Sequence, residues 1–127
     1  TFSASLKSSG GLRRVFNATR YSLHGLAAAW KCEAAFRQEA VLGVAMLLCL
    51  PWLAPSLLWG VLMASAILLV WCVEMINSAI EALADAISTD YHDALGRAKD
   101  LGSAAVMFAL LLCGLVWVLG LYLRFFS

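Results

Sequence analysis

Charged residues are scarce in this chain: they make up 13% of its 127 residues, whereas 63% are hydrophobic. Soluble domains carry roughly 25% charged and about 45–50% apolar residues. This scarcity excludes a water-soluble globule, and the high apolar content excludes a disordered chain. Proline is also rare, since Pro51 and Pro55 are the only two. Long helices can therefore form without interruption everywhere except in the short segment that contains these two prolines.

Two stretches carry no charge at all, from Ala40 to Val73 and from Leu101 to Leu123. A bilayer crossing takes ~20 apolar residues, so the first stretch is long enough for two crossings and the second for one. Pro51 and Pro55 mark the turn inside the first stretch, because proline lacks a backbone N–H and restricts the residue before it. We predict an all-α membrane protein that forms a single domain. Its membrane-spanning helices are expected at 34–51, 56–87 and 101–123.

No acidic residue precedes Glu33, although basic residues are frequent there. In segment 12–31 one helical face carries polar and basic side chains, and apolar ones, ending at Trp30, share another. The polar face consists of Arg13, Asn17, Arg20, His24 and Lys31. This pattern is typical of a helix that lies in the membrane interface, and an ordinary helix of a soluble bundle is the alternative. Residues 1–11 are rich in Ser and Gly and are expected to be flexible.

The distribution of basic residues also predicts the orientation of the chain. Cytoplasmic segments of membrane proteins collect Lys and Arg. The amino-terminal segment and the connection before Leu101 contain them, whereas the segment around Pro51 and Pro55 contains none. We therefore expect a cytoplasmic N-terminus and a periplasmic C-terminus.

Familiar nucleotide-binding motifs are missing. The chain has no G-x-x-x-x-G-K-[ST] loop, no glycine-rich kinase loop and no H-R-D motif, and Gly96-Arg97-Ala98-Lys99 is too short for a P-loop. The cysteines follow no metal-ligand spacing. If ATP binds, it does so by another design, and no nucleic-acid partner is expected.

A polar stripe interrupts the second span. Its members share one helical face within about 100° of arc, and they are Glu74, Asn77, Ser78, Glu81 and Asp85. A charged side chain at membrane depth costs about 2.5–3.5 kcal/mol, so such a stripe indicates a functional site.

The depth of this stripe follows from helix geometry. Counted from Leu57 at the outer edge, Glu74 lies ~25 Å and Glu81 ~36 Å along the helix, at 1.5 Å per residue. The hydrocarbon core is ~30 Å thick, which places Glu74 just inside its inner boundary and Glu81 in the headgroup region. The outer halves of the spans carry no Asp, Glu, Lys, Arg or His. The pattern therefore predicts a site at the cytoplasmic interface rather than an ion pathway.

The residue types at this level suit phosphoryl transfer. Carboxylates can hold Mg²⁺, a lysine can neutralise phosphates, and a carboxylate in an apolar setting can act as a base. Phosphoryl transfer needs positioning and charge neutralisation more than covalent chemistry. The alternative is that the carboxylates only pair with Arg37, Arg97 and Lys99 to hold helices together.

Three blocks of the sequence resemble the signatures of the small prokaryotic integral-membrane diacylglycerol kinase family, of the Gram-negative type. They lie at 33–39, 74–85 and 96–106, in the family's order and at its separations. The resemblance implies a homotrimer in the bacterial inner membrane with active sites shared between subunits. It implies Mg²⁺-dependent transfer of the ATP γ-phosphate to diacylglycerol, which gives phosphatidic acid and ADP. The alternatives are an undecaprenol (polyprenol) kinase and, from a different class, a non-catalytic membrane subunit.

The same resemblance implies roles for individual residues. Glu74 would be the general base, Asn77 would orient the catalytic carboxylates, and Lys99 would contact phosphates. Glu33 and Glu81 would hold Mg²⁺. The implied ATP-binding residues are Arg14, Tyr21, Glu33, Glu81, Asp90, Tyr91, His92, Lys99 and Asp100. The implied lipid-binding residues are Ser22, Leu23, Ala27, Ala28, Ala29, Trp30, Ala35, Phe36, Arg37, Gln38, Glu39, Glu74 and Ser103.

Overall fold

Four α-helices make up nearly all of the chain that the computed structural model describes, residues 10–90 and 92–127, and no strand occurs in those ranges. The helices are α1 (Gly11–Cys32), α2 (Ala34–Leu53), α3 (Leu57–Ile87) and α4 (Asp93–Phe126). Each of the last three is long and apolar enough to cross a membrane. The predicted all-α class is confirmed. The predicted flexible segment, 1–11, lies mostly outside the described residues.

The chain forms two compact units, 1–34 and 35–127. The first contains α1, whose basic residues are exposed and whose large apolar residues, Leu12 and Phe16 among them, are exposed as well; Ala29 is buried. At the end of this helix the backbone N–H of Glu33 donates to the carbonyl of Ala29, at 2.9 Å. A helix that exposes both faces in this way matches the amphipathic pattern expected of an interfacial helix.

The core of the second unit lies where α3 packs against its neighbours. Met63, Ala66 and Ile67 of α3 are buried together with Trp117 of α4. The Trp117 indole donates from Nε1 to the carbonyl oxygen of Met63, at 3.0 Å. A tryptophan N–H buried among apolar side chains needs such a partner, so this hydrogen bond helps set how α4 packs along α3.

Two glycines let the helices approach closely. An added Cβ at Gly43 of α2 would lie 2.6 Å from the Trp71 ring of α3, and one at Gly120 of α4 would lie 2.8 Å from the sulfur of Met63. Small residues at helix interfaces allow this kind of contact in membranes, where packing replaces much of the hydrophobic driving force.

We expect Gly43→Ala to lower the free energy of unfolding by about 1–3 kcal/mol, the usual cost of overpacking. Gly120→Ala should cost less, because the flexible Met63 side chain can move aside and the Trp71 ring cannot. Thermal unfolding in detergent measures both. Gly114→Ala is the control, since an added Cβ there meets no atom within 4 Å. Equal stability of all three variants would contradict the packing argument.

The helix ends differ in detail from the sequence prediction. Helix α2 runs through Pro51 to Leu53, and the turn consists of the residues that follow. The hydroxyl of Ser56 accepts from the backbone N–H of Trp59, at 3.3 Å, and caps α3. Pro51 has no N–H to donate to the carbonyl of Leu47, and membrane helices tolerate such a loss because local adjustments satisfy the freed backbone group.

The far end of α4 also reaches this turn. Arg124 donates from Nε to the carbonyl oxygen of Trp52, at 3.2 Å. The last carbonyls of a helix have no partner within it, so this contact satisfies one of those at the end of α2. Helix α4 itself begins at Asp93, well before the expected 101, and extends beyond the apolar segment.

Candidate functional site

The polar stripe of α3 carries the most deeply buried charge. Glu74 is 7% exposed, and no other charged side chain is buried among residues 10–90 and 92–127. Asn77 and Glu81 follow on the same face and are half-buried, and Asp85 is exposed. The stripe therefore runs from a buried carboxylate to an open surface over about three helical turns.

The carboxyl groups of Glu39 and Glu74 lie within hydrogen-bonding reach of each other. Helix α2 is held beside them because Trp71 donates from its indole Nε1 to the backbone carbonyl of Glu39, at 3.3 Å. The carboxyl oxygen Oε2 of Glu39 is buried without a hydrogen-bond partner in the described part of the chain. An unpaired buried oxygen of this kind is costly, which suits a site that takes up a proton or a substrate group.

One helical turn further along, the side chain of Asn77 joins two members of the stripe. Its Nδ2 donates to Oε1 of Glu81, at 3.4 Å, a long hydrogen bond. Its Oδ1 is buried and has no hydrogen-bond partner within the described ranges. The side-chain amide of Asn77 therefore orients one carboxylate and leaves an acceptor available.

Asp85, the last member of the stripe, forms an ion pair with Lys99 of α4. Lys99 Nζ lies 2.6 Å from Asp85 Oδ1, and the two side chains are 42% and 55% exposed. Glu81 is near enough to act on the same ammonium group. This contact agrees with the alternative that carboxylates pair with Lys99 to join helices. An ion pair exposed to this degree contributes little to stability, so an incoming phosphate can replace Asp85.

A small polar pocket of about 190 Å³ lies at the junction of α3 and α4. Asp90, His92 and Lys99, three of the predicted ATP-binding residues, line it together with Ser88 and Thr89. Ser88 shapes this connection, because its hydroxyl accepts from the backbone N–H of Asp90 at 3.0 Å. The predicted Tyr91 lies outside the described residues. Asp100 is exposed on α4 beside this region.

The predicted lipid-binding residues of the second unit have mixed environments. On α2, Phe36 is buried, Arg37 is half-buried and Gln38 is exposed. Ser103 is exposed on α4. Ala35 is exposed at the start of the unit.

The remaining predicted residues belong to the first unit. They are Arg14, Tyr21, Ser22, Leu23, Ala27, Ala28, Ala29, Trp30 and Glu33. Within α1, the Arg20 guanidinium lies over the Tyr21 ring, 5.3 Å from its centroid, and the Ser22 hydroxyl donates to the Ala18 carbonyl at 2.9 Å. Their meeting with the second-unit residues, including Glu33 with Glu81, stays a prediction.

Sequence reasoning missed two contacts. It assigned Glu39 to the lipid site without pairing it with Glu74. The signal was present, because these two acids flank the charge-free stretch, and folding that stretch into a hairpin returns both ends to the same level. It also passed over Gly102, whose contact with Asn77 no pattern in the sequence reveals.

Residues 20–121 match the protein family described as prokaryotic diacylglycerol kinase. The chain is 44% identical to a diacylglycerol kinase of Escherichia coli strain K12 over 115 residues, 91% of this chain and 94% of that one. It is 44% identical to a diacylglycerol kinase of Haemophilus influenzae over 107 residues, 84% of this chain and 91% of that one. A diacylglycerol kinase of Pseudomonas aeruginosa is 43% identical over 111 residues, 87% and 90% of the two chains.

Proposed function

Because this chain belongs to the prokaryotic diacylglycerol kinase family, we propose that the α3 stripe and its neighbours on α2 and α4 form the active site of a diacylglycerol kinase. The protein is a membrane-embedded kinase, and it transfers the ATP γ-phosphate to the hydroxyl of diacylglycerol. The observation that carries the site is the burial of Glu74 on an apolar helix, where an uncompensated charge is expensive. A non-catalytic membrane subunit does not fit a member of a kinase family.

Glu74 is the base in this proposal. The lipid hydroxyl oxygen attacks the γ-phosphorus, the bond to the β-phosphate oxygen breaks, ADP leaves, and the hydroxyl proton passes to the Glu74 carboxylate. A buried position near the inner boundary of the hydrocarbon suits a base that meets the hydroxyl of a lipid. The carboxyl group of Glu39 lies within hydrogen-bonding reach of this base, so a second group able to bind a proton adjoins it.

Glu81, together with Glu33, would hold Mg²⁺. No cluster of three or more His, Cys, Asp or Glu side chains suited to a metal occurs among residues 10–90 and 92–127. The two carboxylates of Glu81 and Glu33 fit Mg²⁺, because proteins commonly bind this ion through one or two carboxylates while phosphates and waters complete its coordination shell. Asn77 Oδ1, which has no hydrogen-bond partner among the residues that the structure describes, is a further oxygen at this level. When bound, Mg²⁺ neutralises phosphate charge.

Lys99 and the polar pocket beside it supply the nucleotide side of the site. The Lys99 ammonium lies among the carboxylates of Asp85 and Glu81, at the border of the pocket that contains Asp90 and His92. Phosphate oxygens can take the place of the exposed Asp85 carboxylate. Arg14, Tyr21, Glu33, Tyr91 and Asp100 complete the ATP site in this proposal.

The lipid would be bordered by α1 and by the first turns of α2, together with Ser103. Many apolar side chains of α2, α3 and α4 are exposed, Leu42, Leu69 and Leu111 among them. Three slender helices cannot enclose both ATP and a two-tailed lipid, so a homotrimer with shared active sites is the assembly we propose. It lies in the bacterial inner membrane with its N-terminus in the cytoplasm and its C-terminus in the periplasm.

An ATP-dependent assay with the purified protein in mixed micelles tests this function. Diacylglycerol and undecaprenol are supplied side by side, with and without Mg²⁺, and phosphorylated lipid is measured. We expect phosphatidic acid to form from diacylglycerol and its formation to stop without Mg²⁺. A preference for undecaprenol would show that diacylglycerol is not the main substrate. Activity unchanged by a chelator would contradict the Mg²⁺ requirement.

A further inference from the structure

Gly102 of α4 directly faces a proposed site residue. It is buried, and an added Cβ would collide with Oδ1 of Asn77. The same Cβ would lie 3.4 Å from Cγ of Asn77 and 3.6 Å from Cδ1 of Ile80, which is ordinary contact. The side chain that Gly102 leaves room for is therefore the carboxamide of Asn77.

The position of that carboxamide matters because its other end points to Glu81. Asn77 Nδ2 donates to Glu81 Oε1 at 3.4 Å, already near the limit for a hydrogen bond. Any side chain at 102 must push the amide toward another rotamer, and the amide cannot rotate far without losing this contact. The buried Oδ1 has no hydrogen-bond partner in the described residues that would hold it in place instead.

We propose that Gly102 is a positioning residue, which acts through Asn77 to orient the Glu81 carboxylate toward Mg²⁺ and ATP. This inference rests on the proposed function, in which Glu81 holds the metal. Gly102 differs from Gly43 and Gly120, whose added Cβ atoms would meet a tryptophan ring and a methionine side chain. Those two glycines serve helix packing, whereas Gly102 serves a polar group.

The test uses four forms of the full-length protein: wild type, Gly102→Ala, Asn77→Ala and the double variant. We expect Gly102→Ala to raise the half-saturating Mg²⁺ concentration about tenfold, in the range seen when a partner of a metal ligand is disturbed. The Michaelis constant for diacylglycerol should stay within about twofold of wild type. In the Asn77→Ala background the added methyl group meets no amide, so Gly102→Ala should then change the Mg²⁺ requirement by less than about twofold.

Gly114→Ala is the matched control on the same helix, since its added Cβ meets nothing within 4 Å and its Mg²⁺ requirement should equal that of wild type. Mg²⁺-dependent binding of an unreactive ATP analogue provides a readout besides turnover. An equal effect of Gly102→Ala in both backgrounds, or no effect in either, would overturn the positioning role.

Circular dichroism and thermal unfolding show whether each variant folds. Should Gly102→Ala alone fail to fold, the double variant still decides, because a positioning role requires it to match Asn77→Ala in Mg²⁺ dependence. A further loss in the double variant would contradict the proposal. Failure of the proposed function is recognised separately, since wild type would then form no phosphatidic acid at all.

Discussion

We expect Glu74→Gln to lower the turnover of diacylglycerol by about 10²–10⁴-fold, the usual contribution of a general base. The amide has nearly the same shape as the carboxyl, and its NH₂ group can donate to the adjacent Glu39 carboxylate. The buried contact between α2 and α3 is therefore kept, and the loss is confined to the ability to accept the hydroxyl proton.

The measurement is steady-state phosphorylation of diacylglycerol, with thermal unfolding and binding of an unreactive ATP analogue recorded on the same preparations. Nucleotide affinity should stay within about threefold of wild type, since the base contacts the lipid hydroxyl rather than the nucleotide. Ser65→Ala is the control, because Ser65 is an exposed polar residue in the amino-terminal half of the same helix. A loss of ATP affinity as large as the loss of turnover would assign Glu74 to nucleotide binding instead.

Glu81→Gln should raise the Mg²⁺ and ATP concentrations needed for half-maximal activity by about 10–100-fold, a range typical of damaged metal sites. Gln keeps an oxygen that can accept from Asn77 Nδ2, so the local packing remains. It lacks the negative charge that attracts Mg²⁺. The deficit should diminish at high Mg²⁺, which distinguishes weakened binding from a lost proton acceptor.

Titration of Mg²⁺ at fixed ATP and of ATP at saturating Mg²⁺ measures this effect. The matched control is Asp93→Asn, which makes the same acid-to-amide exchange at an exposed position in the first turn of α4. That variant should behave as wild type. If Glu81→Gln kept wild-type affinity for both Mg²⁺ and ATP, the metal role of Glu81 would be wrong.

The apolar pattern was sufficient to predict three membrane helices and the polar stripe of α3. Apolar runs of this length have few other solutions, because a backbone in lipid must satisfy its own hydrogen bonds. The boundaries were less predictable. Pro51 marks the region of the turn, yet the helix continues through it to Leu53, since a membrane helix tolerates the loss of one backbone hydrogen bond. Helix α4 begins at Asp93, before the apolar segment. Its first turns are polar, so the apolar pattern did not mark them as part of the helix.

The sequence by itself determined that this is a membrane protein, that it is helical, and which chemistry its scarce charged residues can perform. Hydropathy and the helical period suffice for this because both depend on local composition. The tertiary structure alone decided which groups meet: Glu39 with Glu74, Lys99 with Asp85, and Gly102 with Asn77. These contacts join different helices, and their geometry depends on the distance and rotation at which the helices pack. Glycines and indole hydrogen bonds set that packing, and no periodicity along a single helix encodes it.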